Sequence, residues 1–123
     1  MADLDHPTKT TAHLIAASKV TGTDVYDLDG EKLGSIYDIM LNRASGRTEY
    51  AIMNFGGLFG IGQHYHPLPW SVLRYSDEKG GYVVNLDRKR LEGSPAYAQS
   101  DSAAWHDDTW GHRVDEYYGL VAV

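Results

Sequence analysis

From His13 to Leu86, short apolar or β-branched runs alternate with turns that contain glycine or aspartate. No other feature constrains the chain as much. Runs this short make strands, and turns this tight reverse the backbone, so the expected product is a small all-β domain, a barrel or a sandwich. The clearest case is Asp24-Val25-Tyr26-Asp27, then the turn Leu28-Asp29-Gly30, then a long strand from Lys32 to Leu41. Asp-Gly supplies the left-handed backbone values a hairpin needs, and glycine takes them without a Cβ clash. Ala44-Ser45-Gly46 turns that strand into a second, Thr48 to Phe55, and Tyr82, Val84 and Leu86 share one face of a further strand.

The two long strands are apolar on both faces. Tyr50 and Ile52 point one way, and Ala51, Met53 and Phe55 the other. A sheet with one wet face has no need of that pattern, so either a second layer or another chain must cover it. In a chain of 123 residues, one domain's worth, little second-layer material is left over. The reading therefore favours another chain, a homodimer.

Leu91-Glu92-Gly93-Ser94-Pro95 closes the β region. It divides the chain into a flexible segment over 1–12, a β-domain over 13–95 and an extension over 96–123. In the extension Trp110, Val114, Tyr117 and Val121 recur at helical spacing, which predicts a helix over Ser102 to Tyr118 with Asp101 or Ser102 as its N-cap. Gly111 inside that pattern costs about 1 kcal/mol relative to alanine. A free tail has little reason to hold Trp105 and Trp110. The helix is expected to pack on the β-domain through Trp110, Val114 and Tyr117, on its own chain or on a neighbour.

Charge narrows the function classes. Seventeen acids against eleven bases give a net −6, and most of it sits late: residues 13–95 carry −1, and residues 96–123 carry −4. Neither a nucleic-acid binder nor an anionic-membrane binder works through such a surface. With no cysteine, disulfides, thiolate metal sites and a cysteine nucleophile are excluded. The first residues hold two aspartates and no apolar run, and no stretch approaches the roughly 20 apolar residues that span a bilayer. A cytoplasmic protein without a membrane span is expected.

The run Gly22-Thr23-Asp24-Val25-Tyr26-Asp27-Leu28-Asp29-Gly30-Glu31-Lys32-Leu33-Gly34-Ser35-Ile36-Tyr37-Asp38 resembles the opening hairpin of the PRC-barrel family. So does Gly56-Gly57-Leu58-Phe59-Gly60-Ile61-Gly62 followed by Pro67-Leu68-Pro69-Trp70. The likeness covers about residues 13–90. It implies a small, strongly bent antiparallel β-barrel of about six strands, used mainly as a protein-interaction module. The family includes the cytoplasmic domain of the photosynthetic reaction-centre H subunit and the C-terminal domain of a ribosome maturation factor. The chain is more similar to stand-alone bacterial members that carry an aromatic C-terminal extension.

Candidate chemistry is sparse. The glycine cluster Phe55 to Gly62 has neither the dinucleotide spacing nor the P-loop ending. It reads as a bend in which Leu58, Phe59 and Ile61 cap the barrel, or as an exposed docking knob at Leu58-Phe59. His64 and His66 share a strand face, a legitimate pairing for a metal. Their third ligand would have to come from His13, His106, His112 or a distant carboxylate, and exposed or hydrogen-bonded strand histidines are the better reading. Asp108 and His112 share a helix face as a surface pair. Serines and histidines supply ingredients for nucleophilic catalysis without a nucleophile elbow.

The expectation is a mainly β barrel with a C-terminal α-helix, non-catalytic and without a cofactor. It would act as a protein–protein interaction or scaffold module, self-associating through Tyr50, Ile52, Leu58, Phe59, Trp105, Trp110 and Tyr117. A small-ligand or metal sensor using His64 and His66 is the alternative, and an RNA-processing accessory role the third.

Overall fold

Both hairpins form where the turn glycines stand. In the computed structural model, which describes residues 14–56, 63–97 and 109–119, Gly30 (φ 86°) lies in the turn between β1 (Asp24–Tyr26) and β2 (Lys32–Leu41). Gly46 (φ 78°) does the same between β2 and β3 (Thr48–Gly56). Side chains lock each turn from within. Asp27 Oδ1 accepts from the backbone N–H groups of Asp29 and Glu31, both at 2.9 Å, and Asn42 Oδ1 accepts from those of Ala44 and Ser45, also at 2.9 Å.

The chain continues through β4 (Gln63–Pro69), one 3₁₀ turn (Trp70–Val72), β5 (Arg74–Ser76) and β6 (Gly81–Val83). Among the described residues three helices flank the strands: α1 (Ala17–Val20), α2 (Arg88–Glu92) and α3 (Thr109–Tyr117). Asp87 caps α2, its Oδ1 accepting from Arg90 N–H at 2.8 Å. No helix among the described residues is long and apolar enough to cross a membrane.

The strands form one six-stranded sheet in the order β4-β3-β2-β1-β6-β5. Two features differ from the expected antiparallel barrel. β1 and β6 run parallel, with Val25 opposite Tyr82, and the sheet is open, with β4 and β5 at its ends. The open edge at β4 has a local cause. Pro67 and Pro69 have no N–H to give, and Tyr65 already exchanges two backbone hydrogen bonds with Tyr97, at 2.9 and 3.0 Å.

Register places the core. Ile36 stands opposite Met53, Asp38 opposite Ile52 and Ile39 opposite Ala51. Tyr37 is therefore an extra residue in β2, a bulge that brings Ile36 and Ile39 to the same side despite their spacing of three. Ala51, Met53 and Phe55 face that side together with Leu68 of β4, and the cluster closes with Val25, Leu33, Tyr82, Val84 and Leu91. The odd-numbered half of the two-faced pattern in β3 is thus the core face.

The other face of β3 and β4 carries Tyr50, Ile52, Tyr65 and Pro67, and α3 lies over it. The Tyr50 hydroxyl is held at 3.1 Å from Gly111 O and 2.9 Å from Asp115 Oδ1. Trp110 meets the Tyr97 ring edge-on at 6.2 Å, and Tyr97 in turn packs on Tyr65 at 5.7 Å. Tyr117 ties the far end of the helix to α2: its hydroxyl donates to Arg90 O at 2.6 Å, and the Arg90 guanidinium donates to Tyr117 O at 2.9 Å. The second layer is the chain's own helix. Trp110 and Val114 are its buried residues, as the helical spacing predicted. The proposed N-cap, Asp101 or Ser102, lies outside the described residues.

Gly111 now has a reason. A Cβ there would meet the Tyr50 hydroxyl at 3.0 Å, so the helix approaches β3 closely only because the side chain is missing. Gly111→Ala should destabilise the protein even though alanine is the better helix former by about 1 kcal/mol, because it displaces a hydroxyl that serves two acceptors. In a Tyr50→Phe background the same substitution should instead stabilise by about 1 kcal/mol. Urea denaturation of the four variants as a double-mutant cycle measures both signs.

Candidate functional site

β4 alternates between the two faces, so His64 and His66 share the core side, opposite Phe55 and Met53 respectively. Their fates differ because the strand dives inward. His64 stays exposed at its outer end, while His66 is 4% exposed and Ser94, just after α2, is 7% exposed. His66 Nδ1 lies 2.7 Å from Ser94 Oγ, and Ser94 Oγ donates to Leu91 O at 2.7 Å. With the serine proton committed to Leu91, Nδ1 donates, which leaves the ring neutral with its lone pair on Nε2. Phe55 packs edge-on against the imidazole at 5.1 Å. The buried Tyr118 hydroxyl completes the cluster beside Ser94, its phenol pushed up to about 12 chiefly by burial.

A serine hydroxyl 2.7 Å from a histidine has the spacing of a nucleophile and its base. Here the hydroxyl points at a backbone carbonyl, and both groups are sealed from solvent, so the pair is a structural clamp between β4 and α2. Among the described residues the histidine pair does not assemble a metal site either. His112 is exposed on α3, His13 and His106 lie outside the described residues, and no group of three or more His, Asp or Glu side chains among the described residues could hold a metal ion.

The expected interaction residues are distributed differently from the reading above. Ile52 is 1% exposed and Trp110 6%, both covered within the single chain by the contact between α3 and the sheet. Tyr50 is half-buried and bonded to the helix, and burial followed by the Asp115 carboxylate raises its phenol. Tyr117 is spent on Arg90. None of the four offers a free apolar face, because the covering layer expected from a second chain comes from this one. Leu58, Phe59 and Trp105 lie outside the described residues.

An exposed apolar surface lies elsewhere, beside β5. Leu14 is 74% exposed, Ile15 50% and Tyr75 48%. With Trp70, Leu73 and Tyr82 they line a groove of ≈ 560 Å³, with Asp77 at its rim. Its floor is an aromatic row: Trp70 packs edge-on to Tyr82 at 5.6 Å, and Tyr82 to Tyr75 at 5.3 Å. Trp70 also packs on the core. A second groove, between Arg47, Glu49, Trp70 and Asp115, is polar and of mixed charge. Sequence reading passed over the first groove because Arg74-Tyr75-Ser76 is too short to show alternation, and Leu14-Ile15 stands ahead of the first recognisable strand.

Burial, with a smaller contribution from His64, lowers His66 from 6.5 to about 4. A histidine whose pKa is lower in the folded state binds fewer protons folded than unfolded. Stability should therefore fall as the pH drops below about 6.5 and continue falling to about 4, by a total of about 3 kcal/mol. His66→Asn keeps a polar atom near the Nδ1 position without the titration. Urea denaturation from pH 7.5 to 4 should give a shallower acid loss for that variant than for the wild type.

The family model described as the PRC-barrel domain matches residues 13–91 of the chain. No curated protein matches it.

Proposed function

The chain belongs to the PRC-barrel family, and from that premise we propose that it is a non-catalytic protein-interaction module that associates with a second copy of itself. The observation that carries the reading is the groove beside β5, where Leu14, Ile15 and Tyr75, three of the exposed large apolar side chains, come together around one apolar surface. Patches of this kind on a small soluble domain mark association surfaces. The aromatic row supports it, since aromatic residues are enriched in interface cores and bury large areas at low entropy cost.

Sensing through His64 and His66 has no comparable support, since His66 is turned into the core and paired with Ser94. An RNA role would need a basic face, and the region over 13–95 is nearly neutral.

Light scattering across a concentration series tests the reading. The wild type should reach the mass of two chains. A Leu14→Ser, Tyr75→Ser double variant should stay at the mass of one with little change in melting temperature, because both residues are exposed in the single chain. A wild type that remains monomeric at the highest concentration overturns self-association.

A further inference from the structure

The two ends of the sheet are treated differently. The β4 edge carries Pro67 and Pro69 and is bridged by Tyr97, two devices that prevent a further strand from adding. β5 has neither, and β6 is its only partner strand among the described residues. In the hairpin that joins them, Ser76 O accepts from Gly80 N–H at 2.8 Å, so Ser76 turns its backbone groups inward. Alternation along the strand then turns the N–H and C=O of Tyr75 outward, away from β6.

We propose that two copies pair antiparallel along β5, with Tyr75 opposite Tyr75 of the second copy, joining the sheets edge to edge. This rests on the self-association proposed above and identifies its surface. Three observations choose the occupant and the register. First, β5 begins with Arg74 and runs into a turn that opens with Asp77 and Glu78, so reversal brings the cation of each copy toward the acidic turn of its mate. The strand and its turn are thus complementary in charge to their own antiparallel copy. Second, a two-fold axis perpendicular to the sheet must pass through a residue pair. Centring it on Arg74 would set two arginines opposite each other, a destabilising pair, and centring it on Ser76 would push each strand against the other's turn. Centring it on Tyr75 lets that residue exchange both of its outward hydrogen bonds with its equivalent. Third, Tyr75 and Tyr82 stand opposite each other with their rings 5.3 Å apart. Pairing at Tyr75 therefore continues the aromatic row Trp70-Tyr82-Tyr75 into its mirror on the second copy, flanked by Leu14 and Ile15 from each side.

In this register Arg74 and Ser76 form a non-hydrogen-bonded cross-strand pair, with Cα atoms about 4.5 Å apart, within the range that a disulfide spans. Because the chain has no cysteine, single substitutions report without background. Full-length Arg74→Cys, isotope-labelled, is mixed with unlabelled Ser76→Cys, equilibrated and mildly oxidised, and the cross-linked species are resolved by mass. The mixed disulfide should exceed its statistical half of the cross-linked material, and Ser76→Cys alone, with its thiols two positions out of register, should cross-link poorly. If the protein is dimeric by light scattering but the mixed disulfide gains nothing over the others, edge pairing at β5 is overturned and self-association stands. If the protein is monomeric, both are overturned, and the edge has no second copy as its occupant.

Discussion

Everything in this fold leans on β3 being buried on both sides. Ala51, Met53 and Phe55 close one hydrophobic cluster with strands β1, β2, β4 and β6 and with Leu91 of α2. Ile52 and Tyr50 need a second cover, which α3 provides. Burying large apolar side chains supplies roughly 1.5–3 kcal/mol each, so a strand that buries both faces concentrates stability in the centre of the sheet. It also commits α3 to a structural task. The close approach at Gly111 and the bonds from Tyr50 and Tyr117 set where that helix sits. Of the extension's acids, Asp115 and Glu116 stand on α3 and so belong to that outer face.

Polar groups follow from the same geometry. A strand covered on both sides carries every second residue inward, and at His66 that residue is titratable. The fold accommodates it by supplying Ser94 from the start of the segment after α2 and keeping the ring neutral. A buried histidine left unpaired would be costly, and one left charged more so. The pairing that resembles catalytic chemistry in two dimensions is in three dimensions a staple between elements far apart in sequence.

The sheet's edges express a division of labour. Proline and the Tyr97 bridge close one end, whereas the other ends in a short strand with an aromatic side chain half in solvent. Edges left open are templates for pairing, and a fold that blocks one and not the other has a directional surface. The sequence clue that first pointed to association was the apolar pattern of Tyr50 and Ile52. That clue was answered inside the chain, and the apolar groove at Tyr75, Leu14 and Ile15 lies toward the opposite end of the sheet.

The hairpins, their glycines, the core face of β3, the family and the helical stripe Trp110–Val114 were legible from residues alone. Each depends on local backbone geometry or on a period that runs along the chain, and such signals survive without knowing what lies across the sheet. What the sequence could not decide depends on pairing between distant segments. The parallel contact of β1 with β6, the open rather than closed sheet and α3 as the cover of Ile52 belong to this class. So do the burial of His66 against Ser94 and the exposure of Tyr75 at a free edge. A residue's chemistry says what it can do, but its neighbours across the fold determine whether water, backbone or another side chain is there to receive it.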